Sequence, residues 1–533
     1  MSTNLARSTA VMTLGTVLSR STGLLRIAAI AAAIGVVETG GLSDAFNYAN
    51  TAPNIIYELF LGGILTSVFV PVFVELLEKE GRERAWQVAS ALINVSVVGL
   101  MAVSIVGILL APWIAKLYTL NVDGDTARME EVMTFLLRLF IPQIIFYALT
   151  AITAGLLNAH KRFGAPMFTP VLNNLAVIAV FLAFRSAVGS VSLESVTPGQ
   201  LLVIGGGTTL GVVLMAMAQL PFLRGMGRYQ WTFHIRHPSV IKLAKLSVFV
   251  IGYVVTNQIG YLVVQVLAGG EVGGYTAYTW AFTFFLLPHG LFSVSIMTAL
   301  LPGMSEHATN GRWDLYRSQL SVGVRATTLL ILPAAVGYFV LGTPIVRILL
   351  EHGVMGPEST ELVANVLRFF VLGLVPFAVY QLFLRAFYAL HDAKTPFYIN
   401  VGVVALNTAI NVPMFAWLGV RGLAAGHAIH YVIGVFLQGR ILSRRVDGID
   451  EARIVRSSVK IGLASLGMGL LVWGVYSLTS ELIEPTAFLN DLLIVAVPVV
   501  AGAVAFLALC VALGVEEIDY AKAVLGRRFS SQR

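Results

Sequence analysis

The chain has 533 residues, of which 57% are hydrophobic and only 12% are charged, with a formal net charge of +7 and a mean hydropathy of +0.83. Soluble domains carry about 25% charged residues, so this composition excludes an ordinary soluble protein. The one cysteine, Cys510, excludes an intrachain disulfide framework. The basic residues fall in short loops between apolar runs, so the positive charge is better explained by membrane topology than by binding of nucleic acid.

Apolar runs of twenty or more residues recur along the chain, and each is long enough to cross a hydrocarbon core of roughly 30 Å as a helix. The first run is interrupted by Arg20 and continues past any plausible cleavage site, so we interpret it as a span and not as a signal peptide. We predict an all-α polytopic membrane protein with about fourteen transmembrane helices. The predicted spans are 8–36, 44–76, 86–118, 130–158, 166–186, 199–223, 239–268, 274–304, 318–350, 360–390, 396–417, 421–443, 455–479 and 488–514.

The loops between these spans differ in charge. The loops after the even-numbered spans carry nearly all of the basic residues, as in KEGRER at 79–84. The loops after the odd-numbered spans carry few, as in AGGEVGGY at 268–275. Because basic loops stay on the cytoplasmic side, we expect both termini in the cytoplasm.

An internal repeat appears at a shift of about 230 residues. LLRLF at 136–140 matches VLRFF at 366–370, and Pro166 of LNAHKRFGAPMF falls on Pro396 of YALHDAKTPFY. The shift spans six helices, an even number, so the two halves run parallel, which is typical of a transporter. We therefore predict two six-helix lobes, 1–230 and 231–447, followed by two C-terminal helices and a tail in 448–533.

Two arginines of the first span occur in the first half of the repeat only. Arg20 and Arg26 are separated by about 9 Å along a helix axis, and Gly23 between them permits bending. A charge inside a bilayer is costly and usually faces a wet cavity, so we predict that both arginines bind an anionic ligand. The alternatives are a structural pair with Asp44 or Glu58, or snorkelling of Arg20 toward the cytoplasmic face.

The second span combines polar residues with helix breakers. Asp44 opens it, either as an exposed helix cap or as a cavity group. Pro53 removes a backbone donor, and Asn54 is placed to serve the freed backbone or a ligand. Gly62 and Gly63 add a second flexible point. We predict substrate-binding roles for Asp44 and Asn54 and hinge roles for Pro53 and the two glycines, together with Gly23.

Motifs of catalysis are absent from the sequence. It contains no GxSxG, HExxH or paired-carboxylate motif, so we expect no catalytic residues, no metal site and no cofactor.

Several motifs together resemble the MurJ (MviN) family, and they cover essentially the whole chain. They are SRSTGLLR at 19–26, SDAF at 43–46, Pro53-Asn54 within APN, FVPVF at 69–73, GLLNAHKRFGAPMFTPVLNN at 155–174, SVSIMTALLP at 293–302 and RAFYALHDAKTP at 385–396.

This resemblance implies the fold of the MOP exporter superfamily, with two six-helix lobes and two further helices that form a lipid-facing groove. It implies a multi-pass protein of the bacterial cytoplasmic membrane that flips lipid II by alternating access during peptidoglycan synthesis, and so supports cell wall biogenesis and cell shape. Lipid II is undecaprenyl pyrophosphate carrying the disaccharide-pentapeptide. Lipid II, membrane lipids and cell-wall synthesis proteins are the expected partners.

The resemblance also bears on single residues. Arg20, Arg26 and Asp44 match charged positions of the family's central cavity, and Pro53-Asn54 matches its span 2 motif. Other positions depart from the family's pattern. An arginine pair is replaced by Tyr57 and Glu58, a further arginine by Thr283, and acidic residues by Ile27 and Gly62.

Alternative functions share this fold class. The chain could export another polyprenyl-linked oligosaccharide, or drugs or cations, although a cation exporter should favour carboxylates where this chain has arginines. A non-transporting scaffold for envelope assembly is the alternative from another class, and it predicts no loss of function when Arg26 is changed.

Overall fold

The computed structural model describes residues 2–60, 70–160, 162–233, 238–483 and 488–518. Across these ranges the backbone forms helices and turns, without a strand. The α-helices are α1 (Ser2–Ile34), α2 (Leu42–Phe60), α3 (Val70–Lys79), α4 (Gly81–Tyr118), α5 (Ala127–Phe140), α6 (Gln143–Ala159), α7 (Gly164–Val188), α8 (Pro198–Gln219), α9 (Pro238–Ala268), α10 (Gly274–Pro288), α11 (Val294–Thr309), α12 (Trp313–Leu350), α13 (Pro357–Val371), α14 (Leu374–Ala389), α15 (Lys394–Leu418), α16 (Val420–Arg445), α17 (Glu451–Leu482) and α18 (Phe488–Ala512). A 3₁₀ turn at Leu220–Leu223 follows α8, and a π turn at His289–Ser293 joins α10 to α11.

The length and hydropathy of these helices confirm an all-α polytopic membrane protein. In the described ranges, 12 helical segments are long and apolar enough to cross a bilayer, and α13 with α14, bent by 50°, makes up to 13. The expected count of about fourteen is therefore not reached within these ranges. The predicted span 44–76 falls on α2, on α3 and on residues 61–69, which lie outside the described residues.

The helix bounds follow the predicted repeat. Helices α7 and α15 both have 25 residues, and they begin 230 residues apart (394 − 164). Helices α4 and α12 both have 38 residues and begin 232 apart (313 − 81). The two halves also contain corresponding broken helix pairs, α5–α6 and α13–α14. The first break contains Pro142, which has no N–H to continue the helical hydrogen bonds, and the second contains Gly373.

The chain divides into two compact units. One consists of Met1–Thr276 with Leu349–Ser359, and the other of Ala277–Ile348 with Thr360–Arg533. The lobes predicted above were defined by the sequence repeat, whereas these units are defined by how compactly the chain packs. The lobe boundaries therefore stay a prediction.

Glycines let the helices of the first unit pack closely. A Cβ atom on Gly205 of α8 would lie 2.7 Å from Leu139, and one on Gly207 would lie 2.6 Å from Val180. Both distances are shorter than real Cβ contacts, so a larger residue at either position would push α8 or a neighbouring side chain of α5 or α7 aside. Small residues carry such packing in membranes because lipid is as apolar as the side chains and gives little hydrophobic driving force.

The C-terminal helices of the second unit pack on α12. Ile461 and Met468 of α17 form a buried cluster with Phe506 and Cys510 of α18. Just after α18, the Glu517 carboxylate accepts a hydrogen bond from the Ser457 hydroxyl (2.9 Å) and pairs with buried Arg325 of α12. These contacts hold the end of α18 against α12 and α17.

Candidate functional site

Helix α1 carries both arginines of the candidate site, but in different surroundings. Arg20 is exposed, whereas Arg26 is partly buried. The Arg26 Nε is fully buried and has no hydrogen-bond partner among the described residues. The guanidinium interacts electrostatically with Tyr147 of α6. A buried N–H without an acceptor costs free energy. An anion that accepts a hydrogen bond from the Arg26 Nε would remove that cost.

Helix α7 holds the stretch of α1 between these arginines. The Asn174 side-chain amide donates hydrogen bonds to the Ser19 carbonyl (3.1 Å) and to the Thr22 hydroxyl (3.0 Å). A Cβ atom on Gly23 would meet the same amide at 3.8 Å, an ordinary contact. Helix α1 runs unbroken through Gly23 in this structure, so its hinge role stays a prediction.

Helix α2 contains Pro53 and Asn54 within one continuous helix. Pro53 is buried, and the Asn54 amide donates a hydrogen bond to the Asn50 carbonyl of the same helix (2.9 Å). Asn54 therefore serves the backbone near the proline in this structure. Glu58 is exposed, and Gly62 and Gly63 lie outside the described residues.

Asp44 is buried and faces the start of α10. Its Oδ2 accepts a hydrogen bond from the Gly273 N–H (2.7 Å), and its Oδ1 accepts two from Thr276, from the N–H (2.8 Å) and the hydroxyl (2.6 Å). The first N–H groups of a helix lack partners within the helix, so a carboxylate there acts as a cap supplied by another segment. The sequence left open an exposed helix cap or a cavity group, whereas here Asp44 is buried and caps the start of α10. A substrate role for Asp44 stays a prediction.

A second carboxylate lies in the turn between α1 and α2. Glu38 accepts hydrogen bonds from the Val36 N–H (2.9 Å), the Gly356 N–H (2.6 Å) and the Ser359 hydroxyl (2.7 Å). Burial raises the pKa of Glu38, but these three hydrogen bonds outweigh it and place the pKa below its ordinary value. The ionised carboxylate thus ties the turn after α1 to the turn before α13.

An arginine strengthens the same connection. The Arg185 guanidinium at the end of α7 donates to the Ala32 carbonyl (2.7 Å), and the Val354 N–H donates to that carbonyl as well (3.0 Å). Gly353 lies against Arg185 with φ +71°, a backbone conformation that favours glycine. We call residues 35–44, 273–276 and 353–359 the turn cluster. It lies at the ends of the helices that the charge pattern places opposite the basic loops.

A polar and aromatic network next to the turn cluster connects α2, α9 and α10. The Tyr48 hydroxyl donates to the Gln265 carbonyl (2.8 Å), and the Gln265 amide donates to the Tyr275 hydroxyl (3.0 Å). Tyr275 in turn donates to the Thr51 hydroxyl (2.9 Å). The Tyr48 and Tyr275 rings stack with centroids 4.0 Å apart.

Sequence reasoning identified Asp44 but missed Glu38, Tyr147 and this network. Each of these residues acquires its partner from a distant part of the chain. A usable signal was present only for α2, where YANT places Tyr48 and Thr51 one helical turn apart.

Comparison with known proteins places the chain in a family. The profile of the family described as "Lipid II flippase MurJ" matches residues 30–494. The probable lipid II flippase MurJ of Haemophilus influenzae is 30% identical over 483 residues, which cover 86% of this chain and 90% of that protein.

Solved structures show the same fold. The structure described as lipid II flippase MurJ in an inward closed conformation matches with a TM-score of 0.76 at 24% identity, covering 97% of this chain and 100% of the other. An inward-facing MATE family multidrug resistance transporter of the MOP superfamily matches with a TM-score of 0.64 at 12% identity, covering 81% and 96%. Because the family profile spans most of the sequence, this chain belongs to the MurJ family.

Proposed function

We propose that this chain is a lipid II flippase, which turns lipid II from the inner to the outer leaflet of the bacterial cytoplasmic membrane by alternating access. The observation that carries the proposal is the family match over residues 30–494. Membership places the chain among transporters, and we infer that it moves its substrate without covalent chemistry. The asymmetry of basic loops supports cytoplasmic N- and C-termini.

Arg26 is our choice for the residue that binds the pyrophosphate of the substrate. Its buried Nε has no partner among the described residues, and a guanidinium binds phosphate oxygens through a planar fork of donors. Arg20, about 9 Å away along α1 and exposed, is placed to bind the anion as it enters or leaves. Asp44 and Asn54 keep their predicted substrate roles only if the protein partners described above release them in another state.

The turn cluster supports a mechanism for outward opening. Its carboxylates hold segments that are far apart in sequence: Asp44 holds 273–276, and Glu38 holds 356–359. Hydrogen bonds to charged groups contribute about 1.5–3 kcal/mol each, so breaking a few of them is within reach of a ligand that binds the open state better. We infer that these bonds form in the state shown here and break when the substrate is released outward. The predicted hinges at Gly23, Pro53, Gly62 and Gly63 would absorb the backbone change.

The functional division that we propose follows the repeat. Lobes 1–230 and 231–447 would tilt against each other between the inward-open and the outward-open state. Residues 448–533 would supply the helices beside the lipid tail. Cell-wall synthesis proteins that consume lipid II are the partners that this function calls for at the outer face.

The test is complementation in bacteria depleted of their own lipid II flippase, with lipid II at the outer face as the readout. Wild type, Arg26→Ala and Arg26→Lys are compared at matched membrane levels. Loss of a charged hydrogen bond predicts at least about tenfold less outer lipid II for Arg26→Ala, with partial recovery for Arg26→Lys. Arg421→Ala is the matched control, because Arg421 is exposed and its Nε bonds only the nearby Leu418 carbonyl (3.3 Å) among the contacts described.

The outcomes separate the function from the site. If wild type restores outer lipid II and Arg26→Ala does so equally, the flippase proposal stands and Arg26 does not bind the pyrophosphate. If well-expressed wild type fails, lipid II is not the substrate, and another polyprenyl-linked oligosaccharide should be assayed.

A further inference from the structure

The segment between α8 and α9 has no regular secondary structure at residues 227–233, yet it is held firmly. We call residues 224–233 the strap. Asn94 of α4 donates hydrogen bonds to the carbonyls of Gln230 (3.3 Å) and Thr232 (2.9 Å), and the Ser90 hydroxyl accepts one from the Gln230 N–H (3.1 Å). The Tyr229 hydroxyl donates back to the Asn94 side chain. Residues 229–232 of the strap therefore lie along about one turn of α4.

The first residues of the strap are fixed in the same way. The Arg82 guanidinium of α4 donates to the carbonyls of Gly225 and Met226. A Cβ atom on Gly227 would overlap the Trp86 ring, so the strap backbone touches that ring directly. These contacts satisfy backbone groups that an extended segment would otherwise leave to water.

The other side of the strap exposes large apolar side chains next to positive charge. Tyr229 is 50% exposed, Trp231 is 73% exposed and Phe233 is 44% exposed. The rings of Trp231 and Phe233 pack edge to face, with centroids 5.3 Å apart. Arg224 and Arg228 are exposed as well.

The length of α4 places the strap at the membrane interface. Helix α4 has 38 residues, about 57 Å, which is longer than a hydrocarbon core of roughly 30 Å. Its exposed large apolar residues begin at Val98 and continue to Leu117, about 30 Å of helix. Asn94 and Ser90 precede Val98 by four and eight residues, so the strap lies roughly 6 to 12 Å outside the core, which is at and just beyond the lipid headgroups.

We propose that the strap binds the headgroups of anionic phospholipids on the face of the membrane that carries the basic loops. Trp231 and Phe233 insert at the interface, where aromatic side chains are favoured, and Arg224 and Arg228 face the phosphates. Charge complementarity and depth argue for lipid: the exposed strap charges are basic, and its aromatic rings lie at headgroup level. This binding is separate from the proposed transport of lipid II and does not depend on Arg26.

The experiment uses the full chain in nanodiscs made of zwitterionic or anionic phospholipid, each brominated either near the headgroup or near the methyl end. Bromine quenches tryptophan fluorescence on contact. The chain has 7 tryptophans, so the signal of Trp231 is the difference between wild type and Trp231→Phe. We expect stronger quenching by the shallow bromine than by the deep one. In mixed discs, two arginines at about 1 kcal/mol each should enrich the anionic lipid around the strap roughly thirtyfold.

The double variant Arg224→Gln/Arg228→Gln should lose the anionic preference while Trp231 is still quenched by zwitterionic bromolipid. Arg440→Gln/Arg444→Gln is the matched control, because it removes two exposed arginines from the C-terminal end of α16, and it should keep the preference. Three results overturn the proposal: a Trp231 signal that is quenched by aqueous iodide and by neither bromolipid, equal quenching by anionic and zwitterionic lipid in wild type, or an equal loss of preference in the control.

Discussion

Asp44 and Thr276 occupy equivalent positions of the internal repeat and are bonded to each other. Each is the third residue of its helix, since α2 begins at Leu42 and α10 at Gly274. The Asp44 carboxylate accepts hydrogen bonds from both the N–H (2.8 Å) and the hydroxyl (2.6 Å) of Thr276. The two copies have thus diverged into an acceptor and a donor, and the pair joins the two halves of the repeat at one point.

This pair predicts a graded loss of stability. Asp44→Asn replaces one acceptor oxygen with an amide that opposes a backbone N–H, which should cost about 1–3 kcal/mol of unfolding free energy. Thr276→Val removes one donor of three and should cost about 1 kcal/mol. Thermal unfolding in detergent measures both variants. Thr298→Val is the control, because the exposed Thr298 hydroxyl bonds only the Val294 carbonyl of its own helix (2.7 Å) among the contacts described. Equal midpoints for Asp44→Asn and this control would contradict the cap.

Glu38 predicts a pH dependence of stability. Because its pKa is lowered in the folded protein, folding favours the ionised form, and the stabilisation is fully present above the ordinary pKa of 4.5. It is lost as the pH falls below that value through the lowered pKa of the folded state. Wild type should therefore unfold at a higher temperature than Glu38→Gln at pH 7, and the difference should shrink toward zero in acid.

The comparison for Glu38 needs a second carboxylate on the same side of the protein. Glu194 is exposed in the turn between α7 and α8, so Glu194→Gln should shift the midpoint little at either pH. A Glu38→Gln difference that stays constant between neutral and acid pH would show that the hydrogen bonds do not depend on the charge of Glu38.

Gly353 predicts a large effect from one methyl group. A Cβ atom there would overlap the Arg185 guanidinium and lie 2.5 Å from the Ala32 carbonyl oxygen. Gly353→Ala should therefore lower the unfolding midpoint more than Gly124→Ala, whose φ of +86° imposes a similar backbone strain with no atom within 4 Å. The strain alone costs about 1–2 kcal/mol. Adding Arg185→Ala to Gly353→Ala should recover part of the difference, and no recovery would mean that the collision is relieved elsewhere.

The tyrosine network predicts that Tyr275→Phe lowers the free energy of unfolding more than Tyr48→Phe does. The Tyr275 hydroxyl bonds Thr51, Gln265 and Tyr261, whereas the Tyr48 hydroxyl donates only to the Gln265 carbonyl among the contacts described. Tyr275→Phe leaves the Gln265 amide without this acceptor and should cost about 1–3 kcal/mol, against about 1 kcal/mol for Tyr48→Phe. Unfolding midpoints measured in one detergent decide the order, and the reverse order would contradict the network.

The helices of this protein were predictable because a bilayer leaves the backbone few choices. In lipid every N–H and C=O must be satisfied within the segment, so an apolar run of sufficient length is a helix whatever packs against it. The predicted spans 166–186 and 396–417 accordingly lie within α7 and α15. The breaks at Pro142 and Gly373, inside the predicted spans 130–158 and 360–390, were not predicted, since they depend on how the helices on either side pack.

The candidate site was predictable in part. Arg20 and Arg26 stand out because charges are rare inside spans, and that signal needs no structure. Their different burial carries no sequence signal. Asn174, which bonds this part of α1, and Tyr147, which interacts electrostatically with Arg26, come from helices more than a hundred residues away. For Asp44 the sequence left an exposed helix cap and a cavity group open, and nothing in it indicated the start of α10 as the partner.

Composition, loop charge and repetition by themselves determined the class of the protein, its all-helical spans and the repeat, because lipid and water select for them directly. Only the tertiary structure decided which polar groups are satisfied. Asp44, Glu38 and the strap all bond backbone atoms that any sequence would offer. The sequence does not indicate such partners, because nearly every residue has the same backbone groups. They are set by which segments the fold brings within hydrogen-bond distance.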